Sequence, residues 1–273
     1  MPTALILSSF VAASRVGGMA QALALAALGI DPVVVPTVLF GRHPGRGAPG
    51  GGPTPIEMFE GVLAGVEADG VLGRGDVMIT GYFASAAQVE SAARVIDTVR
   101  VTGPKCRIIV DPIMGDAGRL YVATEVAEAI SSELIPRADL IAPNAWELEQ
   151  LSGLPVVDAS AAVLAARSLG KPVLVSSIPS GGEIGVVYAD ADGAWLASHP
   201  RAATAPNGVG DLLTALFAAA LIEGLAADQA LARAVGGVAE AVLASQADEL
   251  PIVGMGARLG RTSPSVRLER LYG

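Results

Sequence analysis

The chain is poor in the residues from which several kinds of protein are built. It has one cysteine, Cys106, so no internal disulfide can form, and beside a predicted strand that thiol is expected to pack. Its two histidines, His43 and His199, are scattered with Cys106 and lack the ligand spacing of a zinc centre. No Gly-x-Ser-x-Gly elbow is present, which leaves a serine hydrolase without support. Only two lysines, Lys105 and Lys171, accompany sixteen arginines, and the net charge of −9 offers no basic face to a nucleic-acid backbone. A buried nucleotide site remains compatible, since it needs a few local donors and a metal rather than a basic surface. Long apolar runs are missing too, although 52% of residues are hydrophobic. Leu212 to Ile222, broken only by Thr214, is about half of the roughly 20 residues that cross a bilayer. The opening MPTALILSS has neither a basic start nor a leader-length apolar segment, so a cytoplasmic protein without membrane partners is expected. No 20–50 residue repeat and no linker interrupts the chain, and residues 1–273 are read as a single unit.

What the chain does have is alternation. Ala4–Ser8 is a short apolar run suited to a buried strand, and Met19–Leu28, rich in Ala and Leu, is a helix that ends at Gly29. Pro32–Phe40 is β-branched and reads as a strand whose Pro36 marks an edge or a break. Gly41–Pro53 holds six glycines and three prolines in thirteen residues. It is excluded as a helix or central strand and is expected to be a lid, a binding loop or a surface excursion. Thr54-Pro55-Ile56-Glu57 has the form of a capping box opening a helix to about Ala68. Strands at 76–80, 107–110, 139–142 and 172–176 then alternate with helices at 86–99, 125–134 and 159–169, and Asn144 with Glu147 reads as a capping box. Gly185–Tyr188 and Ala194–Ala197 flank an Asp-Gly turn, which predicts a β-hairpin. A helix after Asp211 and another at about Ala227–Ser245 close the core. The fold class is α/β: one doubly wound, mostly parallel central sheet with helices on both faces and a hairpin towards its C-terminal part.

In such sheets ligands bind beyond the carboxyl ends of the strands, which selects a rim of residues. Ser9, His43, Gly81-Tyr82, Asp111 to Asp116, Asn144 with Glu147, Ser176-Ser177 and Asn207 to Asp211 all follow strand ends. Asn207-Gly208-Val209-Gly210 before an apolar helix suits an anion held by free N–H groups. Asp211 in the first turn also has an ordinary explanation, complementing the helix macrodipole. Asp111-Pro112-Ile113-Met114-Gly115-Asp116 places two carboxylates at the end of a buried strand, where they suit a hydrated Mg²⁺ that also touches phosphate oxygens. Capping of a turn by Asp111 explains part of the same pattern. Glu147 likewise serves either as the capping carboxylate alone or also as a water-mediated metal contact.

Taken together, these stretches resemble a family. Leu5-Ile6-Leu7-Ser8-Ser9, Val38-Leu39-Phe40 with His43, Thr80-Gly81-Tyr82, Val110 to Asp116, Ala142-Pro143-Asn144 with Glu147-Leu148-Glu149, and Gly208-Val209-Gly210-Asp211 occur in the order and spacing of pyridoxal kinases. These are members of the ribokinase-like superfamily, and the resemblance spans nearly the whole chain. It implies an ATP-dependent kinase of vitamin B6 in which Asp211 is the general base on the 5′-hydroxymethyl group. Gly208, Val209 and Gly210 would then supply N–H groups to the transferring phosphoryl. It further implies Asp111, Asp116 and Glu147 as the carboxylates for Mg²⁺, with K⁺ or Na⁺ nearby, and Asn144, Ser176, Ser177 and Asn207 on the ATP phosphates. Ser9 would hold the pyridine ring, with Val16, Phe40, His43, Pro44 and Tyr82 around it. For Val16 and Phe40, simple core packing is an equal expectation. A homodimer is the family's usual assembly.

The departures cluster in the glycine loop. Where the family reads His-Thr-Gly-Tyr-Gly and then a tryptophan, this chain has His43-Pro44-Gly45-Arg46-Gly47 and then Pro49. Pro44 loses a hydroxyl, and Arg46 replaces a ring by a cation able to meet a phosphate or an acidic group. Phe10 follows Ser9 where histidine is frequent, and Ala142 stands for a frequent threonine near the cation site. Two alternatives follow: a kinase of another hydroxymethyl compound, such as the thiamin pyrimidine precursor, and a B6-binding protein without turnover.

Overall fold

In a computed structural model of the chain, the ribbon winds outwards in both directions from its first strand. The structure describes residues 1–246 and 249–272; positions 247, 248 and 273 of the expected unit lie outside the described residues. In chain order the strands and helices are β1 (Thr3–Val11), α1 (Gly17–Ala27), β2 (Asp31–Phe40), β3 (Gly51–Pro53), α2 (Ile56–Ala68), α3 (Val71–Arg74), β4 (Val77–Thr80), α4 (Ala86–Thr102) and β5 (Arg107–Val110). There follow β6 (Gly115–Asp116), β7 (Arg119–Leu120), α5 (Thr124–Ala129), β8 (Leu140–Ile141), α6 (Ala145–Ser152), α7 (Ala159–Ser168) and β9 (Val173–Ser180). β10 (Glu183–Ala189), β11 (Ala194–Pro200), α8 (Val209–Ile222), α9 (Ala227–Leu243), α10 (Ile252–Met255) and β12 (Arg267–Tyr272) complete the chain.

Ten of the strands form one sheet in the order β12-β11-β10-β9-β8-β5-β4-β1-β2-β3. From β9 across to β2 every neighbouring pair is parallel, while β3 and the β10–β12 meander are antiparallel. The chain leaves β1 first towards β2 and then, through β4, towards β9, so the winding reverses between β1 and β4. That reversal opens the crevice in which doubly wound sheets bind ligands.

Two-residue alternation distributes the core over both faces. On β1, Leu5 and Leu7 join Phe59, Met78, Phe83, Ile96 and Ile108 beneath α2 and α4. Ala4 and Ile6 point the other way, into a cluster with Ile79, Ile109, Leu212, Leu216 and Phe217 beneath α1, α8 and α9. α8 buries nine consecutive residues, Leu212 to Ala220, which is why it reads as apolar all round without being a membrane span. Among the described residues no helix is long and apolar enough to cross a membrane.

Most predicted elements are found within a residue or two of their expected ends. The predicted hairpin is present, with Val187 opposite Leu196, and Cys106 is buried as expected. One local expectation is overturned. Thr54 does not cap α2, whose first helical residue is Ile56 and whose flanking Pro55 makes no side-chain cap. The Thr54 hydroxyl instead donates to the carbonyl of Pro36 at 2.8 Å, satisfying the part of β2 that β3 does not reach. The stretch 41–53 is neither helix nor central strand, but it ends in the edge strand β3 and carries a short 3₁₀ turn at Pro44–Arg46. Pro36 lies where β2 changes register against β1, so the expected irregularity is present.

Candidate active site

The site grows from the junction of a turn and a helix. Gly208 takes φ +88°, and a β-carbon built there would lie 2.2 Å from the Arg15 carbonyl, so glycine is required for the turn and for the close approach of the β1–α1 loop. α8 starts at Val209, which puts Asp211 in its first turn, as expected. One carboxylate oxygen of Asp211 accepts from the Gly17 N–H at 2.8 Å. Its other oxygen, Oδ1, is buried and has no hydrogen-bond partner among the described residues. A buried acceptor left unpaired is costly, and such groups concentrate where a ligand completes the bonding. Burial raises the Asp211 carboxyl to about 6, against the smaller lowering effect of the Gly17 hydrogen bond.

The second wall is the turn after β5. Asp111 is buried, and its Oδ2 accepts from the Thr214 hydroxyl at 2.8 Å. Burial first, then the charges of Asp211 and Glu147, push its carboxyl well above the ordinary range, while the Thr214 and Ile113 hydrogen bonds pull it down. Ile113 has φ +29°, a conformation a β-branched residue rarely adopts, so the turn carries backbone strain beside the carboxylate.

Glu147 holds that turn in place. Its Oε1 accepts from the N–H groups of Met114 (2.8 Å) and Gly115 (3.2 Å), and its Oε2 accepts from Asn144 (2.9 Å). Asn144 Oδ1 in turn accepts from the Glu147 N–H at 2.9 Å, and Nδ2 donates to the Gly115 carbonyl at 2.8 Å. The predicted capping box is therefore present and also ties α6 to the β5 turn. Burial raises Glu147 to about 7 despite three N–H donors that lower it.

Asp111, Asp116, Asn144, Glu147, Ser176, Asn207, Gly208, Val209, Gly210 and Asp211 line one cleft of about 280 Å³. Other predicted residues stand elsewhere. Ser177 is exposed at φ +65° on a bulge of β9, which turns Ser176 into the cleft and Ser177 away from it. Ser9, Val16, Phe40, His43, Pro44 and Tyr82 do not line the cleft and belong to the β1–β2–β4 end of the rim. There Ser9 packs its hydroxyl against Gly17, and Val16 lies against Gly208. The Tyr82 carbonyl accepts from Thr37 at 2.6 Å, and His43 Nδ1 accepts from the Gly45 N–H at 3.2 Å. Pro44 is exposed.

Among the described residues no three His, Cys, Asp or Glu side chains converge as a metal cage. Glu147 spends its oxygens on backbone donors, and Asp116 is exposed with Oδ1 accepting from Ala117. The set fits an ion that keeps most of its water and is shared with phosphates, the habit of Mg²⁺, and not a dehydrated ion.

Sequence reasoning missed Thr214 as the partner of Asp111, Gly17 as the partner of Asp211, and Tyr121, which lines the cleft. Thr214 had a legible signal, as the one hydroxyl in an otherwise apolar buried helix. Arg46 was open to a phosphate or an acidic group; it pairs with the protein's own Glu249, Nη1 to Oε1, at 2.7 Å.

A family model described as phosphomethylpyrimidine kinase matches residues 23–252. The chain is 37% identical over 232 residues to the pyridoxine/pyridoxal/pyridoxamine kinase of Bordetella avium, covering 82% of this chain and 78% of that one. It is 33% identical over 276 residues to a pyridoxal kinase of Rubrobacter xylanophilus, covering 96% and 94%. The solved pyridoxal kinase of Entamoeba histolytica is similar at TM-score 0.92 and 27% identity, over 99% of this chain and 100% of that one. That of Leishmania donovani in complex with ADP and pyridoxine is similar at TM-score 0.89 and 25% identity, over 98% and 99%. With the fold, the two carboxylate-bearing turns and these relatives in agreement, the chain belongs to the pyridoxal kinase family of ribokinase-like phosphotransferases.

Proposed function

We propose that the chain transfers the γ-phosphoryl group of ATP to the 5′-hydroxymethyl group of a B6 vitamer, giving the 5′-phosphate of pyridoxal, pyridoxine or pyridoxamine. The carrying observation is the unpaired, buried Oδ1 of Asp211, one helical turn from the glycines that open α8. Asp211 takes the proton of the alcohol as its oxygen attacks, and the Gly17 N–H keeps the carboxylate turned towards it. The N–H groups of Gly208, Val209 and Gly210 face the charge that spreads over the transferring phosphoryl. Phosphoryl transfer depends mainly on position and charge stabilisation, so a base, an anion-binding turn and a charged cleft are sufficient parts. Asp111, Asp116 and Glu147 would hold hydrated Mg²⁺, which when bound with ATP supplies neutralising charge on the phosphates. Asn144, Ser176 and Asn207 border the phosphate path, and Ser9, Val16, Phe40, His43 and Tyr82 border the acceptor, beneath residues 41–53 acting as a lid. A cytoplasmic location is part of the same proposal, and the use of ATP as donor is in keeping with it. A homodimer belongs to the same proposal, with Met58 and Val62, exposed one turn apart on α2, as apolar surface for a partner to cover.

The test is ADP release from the purified protein with pyridoxal, pyridoxine, pyridoxamine and the hydroxymethylpyrimidine in turn. Turnover of at least one B6 vitamer supports the proposal. Turnover of the pyrimidine alone transfers the chain to the alternative, and binding of pyridoxal without turnover of any compound marks a B6-binding protein.

A further inference from the structure

The loop of residues 41–53 is anchored at its tip by an ion pair that lies outside the lining of the cleft around Asp111 and Asp211. Arg46 Nη1 lies 2.7 Å from Glu249 Oε1, joining positions 203 residues apart. The rest of the loop is braced as one piece. Its base is the β2–β3 ladder, where Leu39 pairs with Gly52 and Phe40 with Gly51, and Arg42 Nε donates across the neck to the Ala48 carbonyl at 2.8 Å. The base rests on the β1–α1 loop through bonds from Ala12 N to Phe40 O (2.9 Å) and Ala13 N to Gly41 O (3.0 Å). The same β1–α1 loop ends at Gly17, the donor to Asp211. Glu249 comes from the segment between α9 and α10, where it forms a β-bridge with Gln246 and precedes the buried Leu250. α10 packs on α1. The Arg46–Glu249 contact therefore closes a ring of direct contacts around the acceptor side of the site.

The two side chains are 36% and 35% exposed. A pair so exposed adds little to global stability, but opening this loop exposes no buried residue of its 3₁₀ tip, so a small term is enough to bias it. We propose that Glu249 is a positioning residue for the acceptor site. It holds Arg46, and with it the loop that carries His43, against the β1–α1 loop whose Gly17 bonds Asp211, and so sets how tightly the alcohol substrate is retained without touching reacting atoms. The inference rests on the B6 kinase reading for its substrate, but the loop contact can be measured without any substrate.

The experiment compares Glu249→Gln, Arg46→Ala, their double variant, and the exchanged pair Arg46→Glu with Glu249→Arg. Hydrogen exchange over residues 41–53 is read in the ligand-free protein, and KM and kcat are read with the turned-over vitamer. Each single variant is expected to speed exchange and raise the acceptor KM about 2- to 5-fold, with the KM for ATP unchanged and the double variant no worse than either single. The exchanged pair is expected to restore both readouts. Unchanged exchange in Glu249→Gln overturns the proposal. So do additive single effects, or a raised ATP KM in Arg46→Ala, which would place Arg46 on the phosphates. Absence of turnover of every vitamer would refute the B6 reading, while the exchange data would still decide the loop contact.

Discussion

At Asp211 the burial that raises the carboxyl to about 6 also makes it a useful base, because a proton acceptor works best with a pKa near the working pH. In the proposed reaction the deprotonated form takes the alcohol proton. kcat/KM is therefore expected to fall about tenfold per pH unit below about 6 and to level off above it, as read from a pH profile with subsaturating vitamer. A profile flat to about pH 4.5 would remove Asp211 from the role. The same group costs stability. Its folded value lies above the unfolded value of about 3.9, so there is no penalty below the unfolded value, and stability is lost as the pH rises through about 6 and the buried carboxyl ionises. Asp211→Asn keeps the shape without the charge. It is expected to raise the Tm of the ligand-free protein by roughly 2–6 °C at about pH 8 and by less at about pH 5. Calorimetry at the two pH values checks this, and a lowered Tm at both would contradict it.

At the scale of elements, the site is two turns held against each other. The β5 turn is fixed by Glu147 and Asn144 at the start of α6, and the α8 turn by the close approach of Gly208 to Arg15. Gly208→Ala meets both a left-handed φ and the Arg15 carbonyl. It is expected to lower Tm by roughly 3–8 °C and kcat/KM by at least about tenfold, because the β1–α1 loop must move and Gly17 with it. A thermal melt and steady-state kinetics measure both effects, and wild-type values for both would mean that the turn relaxes without cost. Much of this was legible in the sequence. The strand ends that define the rim follow from apolar runs, and the Asn144–Glu147 box follows from spacing alone. The rest was not, because it depends on contacts between distant residues. Thr54 looked like a cap until β2 offered it the Pro36 carbonyl. Ser176 and Ser177 were equivalent in sequence until a bulge in β9 separated them. No local pattern announces that Arg46 meets Glu249.

Over the whole molecule, the winding reversal between β1 and β4 brings residues 9 and 211 to one rim, with the carboxylates of Asp111, Asp116 and Glu147 beside them in the cleft. In the proposed reaction these carboxylates hold the metal. Removing divalent ions with a chelator is expected to abolish ADP release and leave Tm nearly unchanged, with Mg²⁺ restoring activity, as a coupled ADP assay and a melt read in parallel. Retained activity in chelator would refute the metal role of the cluster. The central claim is that Asp211 deprotonates the alcohol of a B6 vitamer. Its most direct test is the kcat for 5′-phosphate formation from pyridoxal by wild type and by Asp211→Asn, both shown to be folded and to bind ATP. The account predicts phosphorylation by wild type and a loss of about 10²–10⁴-fold in the variant; a variant within threefold of wild type would contradict it.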